Sequence, residues 1–191
     1  RIAAFATDAV ITPDGGRLLV PTRSQAALVY IDLGDVRRPL CCFNRDPNGH
    51  PNDSCYLADA SEVLPWCDNR VRGLPEQPLS IALAQEPGAL PSDPPRWIYL
   101  THPISGTVSL ISYDPLGPPV LQRGWLGERG SDTVAIHRPS GRAFVTNRYG
   151  NRIDMLDVLA SAATDALLVG AGTFFAPTAT GAVGTRGAAF L

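Results

Sequence analysis

Apolar residues in this chain come in short runs, each closed by a cluster of Gly, Pro, Asn or Asp. Runs of roughly four to eight residues between turn signals read as β-strands. The clearest are Arg17–Thr22, Trp97–His102 and Arg142–Asn147. Across a polar bend, each is followed by a second run: Ala27–Leu33, Thr107–Tyr113 and Arg152–Val158. Inner strands are expected at Asp8–Thr12, Ser80–Leu83 and Thr133–Arg138. Fourth strands are expected at Val36–Phe43, Pro119–Leu126 and Ala166–Phe175. The stretch Leu156–Val169 is rich in Ala and Leu and also reads as a short helix.

The pattern repeats. PDGGRLLVPTR, Pro13 to Arg23, matches RPSGRAFVTNR, Arg138 to Arg148. Val20 and Val145, Arg23 and Arg148, and Asp32 and Asp157 each stand 125 residues apart. RWIYLTH, Arg96 to His102, is a weaker third copy. With Val20, Leu100 and Val145 as equivalents, the steps are 80 and 45 residues. A unit of about 45 residues has the size of a propeller blade. The longer step exceeds it by 35 residues, close to the length of a cysteine-containing segment. The expectation is an all-β chain of four-stranded antiparallel blades, with residues 1–191 a partial β-propeller. Residues 35–79 form an insertion, placed after the fourth strand of its blade. The remainder makes about three and a half blades of a larger propeller, since closure takes at least about four. The end, Arg186–Leu191, resembles an inner strand without its turn.

Composition narrows the class. The net charge is −2 over 191 residues, so no basic nucleic-acid footprint is expected. No apolar run reaches the ~20 residues of a membrane helix. Eighteen Gly and eighteen Pro favour short strands over long helices. A start at Arg1 reads as a processed product or as the visible part of something longer. Cys41, Cys42, Cys55 and Cys67 fall in one Pro/Asn/Asp-rich stretch. Two local disulfides are expected, hence a periplasmic, extracellular or cell-surface setting. Three pairings exist, of which Cys41–Cys42 is the least favourable sterically. A zinc site is the rival reading, but the usual C-x2-C knuckle is missing.

The units resemble the YVTN-repeat family, related to the lactonase-like seven-bladed β-propellers. Pro13-Asp14-Gly15, Leu19-Val20-Pro21-Thr22 and Val29-Tyr30-Ile31-Asp32 carry the resemblance. So do Pro139-Ser140-Gly141, Phe144-Val145-Thr146-Asn147 and Met155-Leu156-Asp157. The middle unit departs, with Ser112 in place of the Asp and no PDG before Trp97. The resemblance implies a seven-bladed fold. It implies protein binding, redox-cofactor binding or lactone hydrolysis without choosing among them.

Candidate chemistry lies in the bends between second and third strands. These hold Arg23, His102, and Arg148 with Tyr149. Two equivalent arginines suit bidentate contact with carboxylate or phosphate; the plainer reading is that each covers a blade end. His102 and His137 show no metal-ligand spacing, and His50 lies in the cysteine stretch. Asp46, Asn48 and Asp53 offer oxygen ligands for calcium, although the same composition suits a loop of Asx turns. No other cofactor is expected. Asp32 and Asp157 are expected to accept backbone N–H bonds at strand ends. The leading reading is a non-catalytic scaffold that binds a protein partner or ligand, or its own remaining blades. Trp66, Tyr149 and Arg148 are the expected anchors, with the cysteine loop overhanging the arginine rim. The alternatives are a lactonase-like hydrolase with its site at the channel mouth, and a metal- or redox-cofactor propeller. Glutamates stand only at positions 62, 76, 86 and 128, none in a second-to-third-strand bend.

Overall fold

A computed structural model describes residues 5–24, 26–33, 70–162 and 165–175. The cysteines, Trp66, His50, Asp46, Asn48, Asp53 and Arg186–Leu191 lie outside the described residues. Every regular element among the described residues is a strand. The first sheet holds β1 (Val10–Ile11), β2 (Arg17–Thr22), β3 (Ala27–Asp32) and β4 (Arg70–Val71), in that order. The second holds β5 (Ile81–Ala84), β6 (Trp97–His102), β7 (Thr107–Ser112) and β8 (Val120–Leu121), with β9 (Trp125–Leu126) also on β7. The third holds β10 (Ser131–His137), β11 (Arg142–Asn147), β12 (Arg152–Ala162) and β13 (Asp165–Phe175). All neighbours within a sheet are antiparallel.

The three sheets are successive blades, stacked face to face. Leu19, Leu28 and Tyr30 of the first pack on Ile98, Leu100 and Ile111 of the second. Tyr99, Val108 and Leu110, from the other face of the second, pack on Val145, Leu156 and Leu168 of the third. Alternation explains this: successive side chains on a strand point to opposite faces, so the middle blade buries both. Val20, Leu100 and Val145 occupy the same place in β2, β6 and β11, paired with Val29, Ser109 and Asp154.

Two expectations are corrected. Arg70–Val71 pairs with Val29 and Leu28 at the place of a fourth strand, so the insertion expected over residues 35–79 ends before Arg70. The fourth strand expected at Val36–Phe43 lies outside the described residues. A two-residue strand carries no alternation to betray it. The helix reading of Leu156–Val169 also fails. Leu156 pairs with Gly170, Val158 with Leu168 and Ala160 with Ala166, so the stretch is one long hairpin. Helix propensity there yields to cross-strand pairing and to burial of Leu156 and Leu168. The fourth strand of the second blade is interrupted, as two pairs of residues rather than one run over Pro119–Leu126.

Candidate interaction rim

The blades turn from second to third strand by one device. The residue just before the third strand has positive φ in all three: Ala26 at 44°, Gly106 at 73° and Asn151 at 46°. Gly and Asn tolerate this region, whereas Ala pays a steric penalty there. At Gly106 the need is double, because an added Cβ would stand 2.5 Å from the Glu128 carbonyl carbon. The bends thus lie close to the chain entering the next blade.

Arg23, Arg148 and Tyr149 come to this end of the blades. Arg23 is exposed, and its backbone N–H donates to the Phe5 carbonyl at 3.0 Å. Tyr149 is 72% exposed. Arg148 donates from Nη2 to Asp132 Oδ1 at 2.7 Å, and Asp132 is buried. Asp132 sits where the register of β10 against β11 shifts between Ser131 and Val134. A bulge of this kind re-aims a side chain, here toward the bend. Nearby, Asn147 is fully buried and caps the bend, its Oδ1 accepting from the N–H groups of Tyr149 at 3.1 Å and Gly150 at 2.7 Å. Arg152 lies between Glu128 at 2.8 Å and Asp154 at 3.1 Å. Burial alone would lower its pKa, but the two carboxylates together hold it above the ordinary value.

His102 belongs to the same end but does not reach the surface. It is fully buried, and Nε2 lies 2.9 Å from Ser109 Oγ. Burial lowers its pKa to about 4, partly offset by the backbone of Pro75 and Glu76. The ring is therefore neutral at neutral pH and closed to an external ligand. The cysteine stretch leaves β3 after Asp32, which pairs with Arg17 at the end opposite the Thr22–Ala27 bend. Its point of departure thus faces away from Arg23. Asp157 does not cap a backbone turn as expected; both its oxygens accept from Arg142 Nε at 3.1 Å. Among the described residues, no three His, Cys, Asp or Glu side chains could hold a metal ion together. Nor does any helix there cross a membrane.

The least expected polar group is Arg17, which is fully buried. Nη1 donates to the carbonyls of Asp114 and Gly117, both at 2.8 Å, and Nη2 to that of Pro115 at 3.1 Å. The guanidinium lies over the rings of Tyr30 and Tyr113, 5.5 and 5.2 Å from their centroids. It ties the first blade to the loop after β7 of the second. A signal existed in the sequence: Arg17 shares the parity of Leu19, the buried face of the strand.

Several solved structures share this arrangement. A functionally unknown protein from Desulfotomaculum acetoxidans superposes with a TM-score of 0.58 at 12% identity, over 90% of this chain and 43% of its own. A Bacteroides fragilis protein provisionally assigned as a 6-phosphogluconolactonase gives 0.58 at 16% identity, over 90% and 42%. Hydrazine synthase from Kuenenia stuttgartiensis gives 0.52 at 14%, over 87% and 36%. The described residues form three blades of a β-propeller. The likeness reaches the fold alone, and the chain spans less than half the length of each structure. No family model and no curated protein matches the chain.

Proposed function

We propose that the chain is part of a larger, YVTN-type β-propeller and serves as a non-catalytic scaffold that captures a protein partner at its second-to-third-strand rim. One observation carries the reading. Phe5, Leu126 and Tyr149 are 75%, 74% and 72% exposed at this end, on three successive blades and beside Arg23 and Arg148. Aromatic and Arg groups on a rigid frame are the usual anchors of an interface. A stable complex would cover about 800 Å² of this surface. Further blades would extend the rim. Phe144, Met155 and Phe174 support this, because they lie on the face of the third blade equivalent to the one that buries Leu19 and Tyr99. Two disulfides among Cys41, Cys42, Cys55 and Cys67 would pin the chain between β3 and β4 and suit a secreted or envelope protein. Calcium at Asp46, Asn48 and Asp53 belongs to the same proposal.

Selection of a displayed peptide library on the 191-residue chain tests the rim. Selected peptides should bind the Tyr149→Ala and Arg23→Ala proteins at least tenfold more weakly, with unchanged circular dichroism. Arg148→Ala is the less clean variant, because it strands the buried Asp132. The hydrolase reading rests on the fold shared with the provisionally assigned lactonase. It wins if the chain turns over a gluconolactone and an Arg23 or Arg148 variant does not.

A further inference from the structure

A cleft of about 190 Å³ opens between the second and third blades, at the end opposite the rim. One wall is the turn from β5 to β6, with Glu86, Pro87 and Arg96. The other is Ser140–Gly141 with Asp157 and Val158. Trp97 and Tyr99 complete the lining. The volume is room for roughly six water molecules, since each takes about 30 Å³ in the liquid.

Its charges are balanced. Glu86 pairs with Arg96, which lies 4.9 Å above the Trp97 ring. Asp157 pairs with Arg142. No net field draws an ion into the cleft. Tyr99 is the exception to this balance. It is fully buried, and its hydroxyl makes no hydrogen bond. A buried hydroxyl without a partner costs about 1–3 kcal/mol, so a native structure that keeps one calls for an explanation. Burial, and then Asp157, raise the Tyr99 pKa, so the phenol remains a donor.

A group in the cleft that meets both Tyr99 and Asp157 must accept a hydrogen bond from the first and donate one to the second. A carboxylate cannot donate to Asp157, and a phosphate, although its P–OH can donate, brings its own negative charge against Asp157 and Glu86. An ammonium cannot accept from Tyr99. A hydroxyl does both. Pro87, Ala84 and Val158 give the cleft apolar wall, suited to C–H groups that water alone would leave unused. We propose that this cleft binds a small neutral polyol of monosaccharide size, with Tyr99 donating to one ligand hydroxyl while Asp157 and Glu86 accept from others.

Calorimetric titration of the 191-residue chain with a panel of neutral aldohexoses and hexitols tests the proposal, with inorganic phosphate and a lysine ester as controls. At least one neutral polyol should bind saturably at millimolar concentration, and neither control should. Tyr99→Phe should weaken that binding at least tenfold, and Asp157→Asn should weaken it as well. Tyr149→Ala, at the far end, should leave it unchanged. Tyr99→Phe should melt no earlier than the parent, so loss of binding is not loss of fold. Saturable binding by phosphate or the amine, polyol binding indifferent to Tyr99→Phe, or a panel without saturable binding would each overturn the assignment; in the last case the cleft holds only solvent.

Discussion

The junction between the first two blades and the junction between the second two come from one repeat and are held by different forces. The first has Arg17 clamped on three carbonyls across it at one end, and at the other a buried neutral His102 that bonds to Ser109 within its own blade. The second is apolar, with Tyr99, Val108, Leu110, Val145, Leu156 and Leu168 in one cluster. It is closed from outside by the hairpin of β12 and β13, which reaches back to the neighbouring blade at Arg123. Matched positions therefore do not imply matched energetics. Arg17, Trp97 and Arg142 all begin a second strand, yet they serve as a buried clamp, a cleft wall and an exposed ion pair.

Removing the clamp should have the largest effect. Arg17→Ala leaves carbonyls without donors and a cavity between Tyr30 and Tyr113. The expected loss is about 4 kcal/mol, a fall in melting temperature of roughly 8–16 °C. Arg17→Lys should recover only part, because an ammonium cannot match a planar fork on three acceptors. Full recovery by Lys in a thermal melt would make the clamp merely a charge.

Acid should separate the two junctions next. His102 has its folded pKa lowered from 6.5 to about 4. Between those values the unfolded chain binds the extra proton, so this contribution is whole above pH 6.5 and drains away as pH falls toward 4. The loss is about 3 kcal/mol at its limit. His102→Asn places there the residue that the third blade has at Asn147, and should flatten the profile of urea midpoints over that range. A profile unchanged by the substitution would assign the acid sensitivity elsewhere.

Leu168→Ala attacks the apolar junction and should cost about 3 kcal/mol, equally at pH 7 and pH 5. A pH-dependent cost would break the contrast between the junctions. The smallest expected change is a gain. Ala26→Gly relieves a left-handed Ala and should stabilise by up to about 1 kcal/mol, read as a small rise in melting temperature.

The second strands were legible because turn signals and alternation agree there: Arg17–Thr22, Trp97–His102 and Arg142–Asn147 stand at the expected bounds. The fourth strands were legible in part: Ala166–Phe175 falls within one residue of β13, whereas Pro119–Leu126 breaks into two pairs of residues and Arg70–Val71 is too short to show a period. The rim was half legible. Arg23 and Tyr149 emerge at it, but His102 shares the parity of Leu100 and follows it into the interior. Tyr99 stands in an apolar run and carries no signal of its own there. Its significance lies in a missing partner, which depends on the next blade and leaves no mark on local sequence.

The hairpin of the third blade also bears on the order of events during synthesis. The Arg123 N–H donates to the Ala166 carbonyl, and the Leu168 N–H donates to the Arg123 carbonyl. Arg123 lies in the gap between β8 and β9, where the outer edge of the second blade is interrupted. That edge is sealed only by residues the ribosome delivers more than forty positions later. Until then the second blade waits with unsatisfied backbone at its rim, exposed to any passing strand. The hairpin is thus the last piece needed to close that edge, and until it arrives edge-to-edge pairing with another chain competes for the same backbone groups.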